Sequence, residues 1–540
     1  MAALILMRNH HTRLVLIALL VFVALTAVQT WPIAAAPSHW ARVDNGDGAL
    51  NIWAVNWVGT HLFRDPLHVA NANIFYPERS ALAYSEMMLV QGAIAAPALA
   101  LGAPPVLAFN IAVFAGFALT GWAFCLLVQR WTGSWAAGYV CGSLAAFNAH
   151  TLVRIAHLQT LHLEFLALAL FALDRLIASP RFRYAWWLAA GFALHAMTSV
   201  YLMVFAVWAM SFATLARIPE IWRRRPAQTL MHLAVATALA IILLSPYLSI
   251  YLGLRADGLS RGADEVIAAS WHDYLATGAR LHVPWSRPYI GSAASFTFMG
   301  ILAMILATIA VTTRAFRSDA RLRMCVVAGA GCLLVSFAAR APFYPALHEL
   351  IPMLQAVRVQ AHLGQVVLIM IAVVAGFGVA ALSRRWSAAP WWPVAAVALV
   401  VAVNAEALRA PIGFVWFDSV PAVYEALAHQ RNAVVAELPF PIPQQWFLNG
   451  PYMVNSTTHW QPLLNGYSGF RPESYEKSYE AARGFPSPES LIALHDRGVT
   501  HVVVHRQALG ADRVAQIANR LELQEIASEG DIAIYRFRRP

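Results

Sequence analysis

Asp44 and Asp47 stand a few residues beyond the first long apolar run, in the stretch Arg42-Val-Asp44-Asn-Gly-Asp47-Gly48. Only 12% of the 540 residues are charged. Two carboxylates at the edge of a membrane-length segment therefore form a candidate catalytic or cation-binding pair. A carboxylate there can take the proton of an acceptor hydroxyl or hold a divalent cation. Gly46 and Gly48 are expected to let the backbone turn tightly, so that both acids face one point. The plainer reading is a solvated turn that stops the helix, since Asn-Gly and Asp-Gly are ordinary turn formers. No cofactor beyond that divalent cation is indicated.

Further polar groups could serve such a site. Glu86 follows Tyr84-Ser85 directly before an apolar segment. Ser85 reads as the N-cap of that helix and Glu86 as a charge at its positive end, and capping alone accounts for both. His157-Leu-Gln159-Thr-Leu-His162-Leu-Glu164 opens another apolar segment. On a helix, Gln159 and His162 share one face, and His157 and Glu164 another. Polar side chains so placed are costly unless they face a cavity, so they read as a sugar- or phosphate-binding wall, or as structure. Arg261, followed by Asp264 and Glu265, and Arg358, followed by Gln360-Ala-His362, carry the guanidinium fork that suits a lipid phosphate. Pairing with Asp264 or Glu265 is the alternative for Arg261. His459 and Tyr467 lie in a stretch, Ser456 to Phe470, dense in aromatic and hydrogen-bonding residues. Such a stretch suits stacking on sugar rings, or packing as a glycine-rich loop.

The elements that must position these residues are read from hydropathy. The chain is 59% hydrophobic, with mean hydropathy +0.56. A soluble core of this length cannot hide so much apolar surface, so the bilayer is the main solvent. Eleven apolar segments lie near 14–33, 105–128, 134–150, 158–176, 184–198, 200–217, 228–252, 291–313, 322–341, 362–383 and 389–408. Some are short against the roughly 20 residues a span needs. The first follows Arg8 and Arg13 and ends at Ala34-Ala35-Ala36, as a signal peptide would. It exceeds the roughly 7–15 apolar residues of a signal core and is expected to be an uncleaved anchor.

The net charge of +10 is almost all arginine, with Lys477 the lone lysine. The arginines gather in short loops, where they read as topology signals and not as a nucleic-acid surface. Arg130, Arg175, Arg181, Arg183, Arg217, Arg223, Arg224, Arg225, Arg314, Arg317, Arg321, Arg323, Arg384 and Arg385 all fall on the side of the N-terminus if the eleven segments span. That side is then cytoplasmic and the C-terminal tail external. Met87 to Leu101 fits this count only as an interfacial or re-entrant element. Before it, Leu50, Trp53, Ala54, Trp57, Val58 and Leu62 recur at helical spacing. They predict an amphipathic helix lying in the interface plane.

The expected architecture is a polytopic α-helical membrane domain over 1–410 and a small extracytoplasmic α/β domain over 411–540. The outer loops 34–86, 253–290 and 342–361 are the large ones, and function is expected on their side. In the tail, helical stretches (422–430, 489–496, 511–521) alternate with strand-like runs (433–437, 501–504, 532–537). Cys125, Cys141, Cys325 and Cys332 all fall in apolar segments, so no disulfide framework or zinc site is implied. Asn455-Ser-Thr matches a glycosylation sequon.

The architecture as a whole resembles the GT-C superfamily, the integral-membrane glycosyltransferases that use polyprenyl-linked sugars. Its features are an N-in first helix, an outer loop opening with aspartate, interfacial elements before the second span, about eleven spans and an external C-terminal α/β domain. Asp65-Pro-Leu-His, Ile74-Phe-Tyr-Pro-Glu, Tyr84-Ser-Glu86, His157-Leu-Gln159 and Asn465-Gly-Tyr-Ser-Gly-Phe470 are similar to the bacterial YfhO-like branch. The first outer loop has no Asp-Asp or Asp-Glu dipeptide, and the chain has no Trp-Trp-Asp-Tyr-Gly signature.

The resemblance implies an inverting transfer of sugar from a polyprenyl-phosphate donor to a glycan, lipid or protein acceptor, on the outer face of a bacterial inner membrane. It maps the general base onto Asp47 or Asp44, with Asp47 preferred because glycine flanks it on both sides. Arg358 and Arg261 would hold the phosphate, and His157, Gln159 and Glu86 the sugar. Two other classes stay open. A flippase or transporter for lipid-linked glycans predicts inverted repeats and polar residues at the midplane, and a non-catalytic scaffold would present the tail to a partner.

Overall fold

The computed structural model describes residues 2–43, 46–259 and 262–538, with backbone alone for 2–11, 352 and 353. It is mostly helical, with a small sheet formed by the C-terminal part. Its contacts divide the chain into two compact units. One takes the chain up to Ala35 together with Val113–Ile412. The other takes Ala36–Ala112 together with the chain from Gly413 onward.

The first unit is the membrane unit. Each of the eleven apolar segments contains a helix, although 291–313 is helical only from Ile301 and 158–176 α-helical only from Glu164. Among the described residues, five helices are long and apolar enough to cross a membrane: Thr12–Gln29, Pro105–Thr132, Pro226–Ala256, Ala320–Arg340 and Gln360–Trp386. A sixth forms if Val200–Leu215 and Ile218–Arg224, bent by 54° at their junction, act as one span. Others, such as Ile301–Thr312 and Trp392–Ala407, are apolar but shorter. The helix Gly364–Trp386 is the buried centre of the unit and packs against Trp135–Ala146, Ile301–Thr312 and Ala320–Ser336. Gly378 makes one of these approaches possible, because a Cβ there would meet the Leu306 carbonyl oxygen. Arg217, counted above among loop arginines, is only 3% exposed and is ion-paired with Asp174 (2.9 Å) and Glu220 (2.6 Å) at the bend. A buried cation needs such partners.

The second unit joins two distant stretches of sequence. β1 (Trp40–Ala41) pairs antiparallel with β2 (Val415–Trp416). β3 (Val435–Leu438), β4 (His501–His505), β5 (Leu523–Glu529) and β6 (Ile532–Phe537) form a sheet in the order β3-β4-β6-β5. The β3–β4 pair is parallel and the other two pairs are antiparallel. The outer edge of β3 is covered by residues 462–465: Val435 N donates to Pro462 O and Leu464 N to Val435 O. On their far side the same residues bond to 73–76, with Leu463 N to Asn73 O (2.6 Å), Phe75 N to Asn465 O (3.0 Å) and Tyr76 N to Leu463 O (2.8 Å). The motif Asn73-Ile-Phe-Tyr therefore extends the C-terminal sheet by backbone bonds, which leave no edge open there.

The helix Gly46–His61 is buried on nearly every side, from Gly48 through Gly59. This corrects the expected amphipathic interfacial helix. Its polar residues are consumed internally: Asn56 donates to Ile52 O and Pro105 O, Trp53 to Asn73 Oδ1, and Trp57 to Val69 O. Leu89–Ala100 packs against it through Gly59 and Gly92, each of which leaves no space for a Cβ.

Candidate active site

Asp47 occupies the first turn of the helix Gly46–His61, where a negative charge is favoured by the helix dipole. Its Oδ1 accepts a 2.6 Å hydrogen bond from the Tyr467 hydroxyl, 420 residues away in sequence. Burial, and then the bond to this carboxylate, push the Tyr467 pKa up, so the hydroxyl remains a donor.

Tyr467 is itself fixed. Its ring meets the edge of Trp446 with centroids 5.0 Å apart, and its backbone lies next to a buried amide network. Within that network Asn449 donates to Trp446 O, Gly466 O and the Tyr475 hydroxyl, and Asn465 donates to Asn449 Oδ1. Arg471 stands over the Trp446 ring and pairs with Glu476 at 2.9 Å. Trp446, Asn449 and Arg471 were not among the expected site residues. Nothing in their local spacing distinguishes them, since their role rests on contacts with Tyr467 and its neighbours.

Gly46 and Gly48 do not serve the turn that the sequence suggests. Both belong to the helix, and neither has positive φ. A Cβ at Gly48 would meet the Arg42 carbonyl oxygen, and one at Gly46 would lie 2.9 Å from Phe447 Cβ. Close approach of other chain segments is what demands glycine here. Asp44 lies outside the described residues.

Glu86 belongs to the same unit, but the expected cap is corrected. The helix starts three residues later, at Leu89, with left-handed Met88 in the capping position and no side-chain cap. Ser85 instead closes the short 3-10 turn Ala81–Tyr84. This segment runs beside the loop carrying Tyr467, for a Cβ at Gly469 would come within 2.7 Å of Tyr84 O. His459 is buried, its Nδ1 accepting from Gln461 N and its ring stacked on Tyr424. Burial lowers its pKa to about 4.

The remaining expected residues lie in the membrane unit. Leu158–Leu161 is a 3-10 turn, and the α-helix begins only at Glu164. The helical faces expected over 157–164 therefore do not exist. His162 Nδ1 instead meets Glu164 Oε1 at 2.9 Å, with both residues buried and Glu164 also accepting from Thr120. His157 sits at the N-terminal cap of the turn, and Gln159 is buried, its Oε1 lacking a partner among the described residues. Glu265 is exposed in a short turn and accepts from Gly262 N. Arg261 lies outside the described residues. Arg358 is exposed, and no carboxylate among the described residues pairs with it. Its backbone N–H donates to the Tyr201 hydroxyl at 2.9 Å.

A buried polar cluster in this unit escaped the sequence reading. His150 and His362 both reach the Ser295 hydroxyl through Nδ1, at 3.0 and 3.2 Å. Among the described residues no group of three or more His, Cys, Asp or Glu side chains could hold a metal ion.

No protein family matches the chain, and no curated protein does. Solved structures do. The arabinofuranosyltransferase AftD from Mycobacteria aligns with 98% of this chain at 15% identity and TM-score 0.57. A mutant of the same protein aligns with 98% at 15% identity and TM-score 0.58. The chain spans about 40% of the length of AftD. The apo oligosaccharyltransferase of Archaeoglobus fulgidus aligns with 91% of this chain and 69% of its own length, at 12% identity and TM-score 0.48. The chain thus shares its fold with the part of AftD that it covers.

Proposed function

We infer that the chain is a membrane glycosyltransferase that moves a sugar from a polyprenyl-phosphate donor to an acceptor on the outer face of a bacterial inner membrane, within the YfhO-like branch. One observation carries this reading. A carboxylate at the start of the first α-helix after the N-terminal apolar helix accepts a hydrogen bond from a tyrosine packed beside a buried amide network. The fold shared with AftD supports it.

In the proposed reaction Asp47 takes the proton of an acceptor hydroxyl. The acceptor oxygen forms a bond to the anomeric carbon while the bond from that carbon to the phosphate oxygen breaks, inverting the centre. The polyprenyl phosphate leaves with the electron pair and needs electrostatic stabilisation more than an acid. Tyr467 holds the carboxylate in orientation, and Glu86 is proposed for sugar hydroxyls. In the membrane unit, Arg358 is the proposed ligand of a lipid phosphate.

Membranes carrying the protein, supplied with radiolabelled polyprenyl-phosphate sugars, test the assignment. Asp47→Asn is expected to lower transfer by roughly 10²–10⁴-fold, the range general-base catalysis supplies, with membrane insertion unchanged. Full transfer by that variant would refute the role of Asp47.

A further inference from the structure

Glu437 is fully buried on β3, the next-to-last residue of that strand. In the parallel register it lies opposite Val503, so it shares a sheet face with His505 at the end of β4. His505 Nε2 meets Glu437 Oε2 at 2.7 Å, and the Tyr424 hydroxyl donates to the same oxygen at 3.1 Å. Asn455 Nδ2 donates to the Tyr424 hydroxyl at 3.0 Å. The Tyr452 ring stacks on His505 with centroids 4.8 Å apart. These groups converge at the carboxyl ends of the two parallel strands, where open α/β sheets place their ligands.

Two buried polar atoms in this cluster have no partner among the described residues. Glu437 Oε1 is an acceptor left unused. His459 Nδ1 accepts a backbone N–H, so its Nε2 carries the ring proton. That Nε2 is also unpartnered. Glu437 bonds the hydroxyl of Tyr424, and His459 stacks on its ring at an interplanar angle of 5°. An unsatisfied donor and an unsatisfied acceptor around one aromatic ring are costly unless something hydroxylic fills them. The His505 side chain is 16% exposed and Tyr452 is partly exposed, so these two stacked rings are the part of the cluster that solvent reaches.

We propose that the Glu437–Tyr424–His459 cluster, entered past Tyr452 and His505, binds one neutral sugar residue of a glycan. Hydroxyls of the sugar donate to Glu437 Oε1 and accept from His459 Nε2, and its apolar face lies on the Tyr452 ring. The site is independent of the Asp47 reading, because no residue of the one belongs to the other.

Saturation-transfer NMR on the full-length protein in detergent tests this, with methyl α-D-mannopyranoside, methyl β-D-glucopyranoside and methyl α-D-arabinofuranoside as probes. Wild-type protein is expected to saturate the ring protons of at least one probe. Tyr452→Leu and His459→Phe, each checked for an unchanged melting profile, are expected to weaken that signal several-fold, and Asp47→Asn to retain it. Tyr452→Leu lies at a partly exposed position and keeps the test decisive if His459→Phe unfolds. Absence of a signal from every probe with wild-type protein overturns the proposal, leaving water as the occupant. Undiminished signals in the Tyr452 and His459 variants overturn it too. Loss of the signal in Asp47→Asn would move the sugar to the Asp47 site and likewise overturn it.

Discussion

The bond from Tyr467 to Asp47 favours the charged form of the candidate carboxylate. A donor to a carboxylate stabilises its charged form, so Tyr467→Phe is expected to raise the Asp47 pKa. A pH–rate profile of the transferase reaction should then have its acid limb displaced to higher pH. The same variant should lower stability by roughly 1.5–3 kcal/mol, the usual worth of a hydrogen bond to a charged group, measured by denaturant unfolding in detergent. His505 offers a second residue-scale test. Burial alone would lower its pKa, but the bond to Glu437 and the charge of that carboxyl outweigh it, and the pKa is raised above 6.5. The folded protein then binds this proton more tightly than the unfolded chain, so the stabilisation is full below about 6.5 and is lost as pH rises through the folded value. His459 has the opposite sign, with its pKa lowered from 6.5 to about 4 by burial. Its contribution is present above 6.5 and lost as pH falls toward 4. Melting temperature should therefore fall on both sides of a maximum, with His505→Gln flattening the alkaline limb and His459→Gln the acid one.

At the scale of elements, the helix Gly46–His61 shows why period alone misplaced it. Its tryptophans and leucines recur at helical spacing, as an interfacial helix requires, but its asparagines are also buried. Hydropathy cannot tell an asparagine facing water from one bonded to a carbonyl, as Asn56 is. The glycines at its start were legible as special but for the wrong reason: spacing suggests a turn, while the packing shows a close approach. Gly48→Ala is expected to destabilise by more than the roughly 1–3 kcal/mol of ordinary overpacking, because the obstacle is the Arg42 backbone and not a movable side chain. Loss of the folded fraction on size-exclusion chromatography would register it, while Gly413→Ala, where a Cβ meets open space, should leave the profile unchanged. The strands at 435–438, 501–505 and 532–537 were readable from apolar runs. β5 was not, because an exposed edge strand reading Leu-Gln-Glu-Ile-Ala-Ser-Glu has little apolar signal.

At the scale of the whole molecule, residues 36–112 and the chain from 413 onward fold as one unit. Residues 413–538 expressed alone are expected to lack cooperative thermal unfolding, since residues 462–465 would lose the backbone bonds to 73–76, and Ser456 and Gln461 the bonds donated by Asn73. Fusing residues 36–104 to that fragment should restore a cooperative transition; a cooperative melt of the fragment alone would count against the shared fold. The sequence by itself determined that the chain is a helical membrane protein with a small sheet near its end, and that a carboxylate follows the first apolar run. Those properties are written in local composition and period, which a bilayer or a pleat reads residue by residue. Only the tertiary structure decided that Tyr467 meets Asp47 and that Asn73-Ile-Phe-Tyr joins the distant sheet. Hydrogen-bond partners hundreds of residues apart leave no mark in local pattern, because what selects them is the need to satisfy buried polar groups once the chain has closed around them.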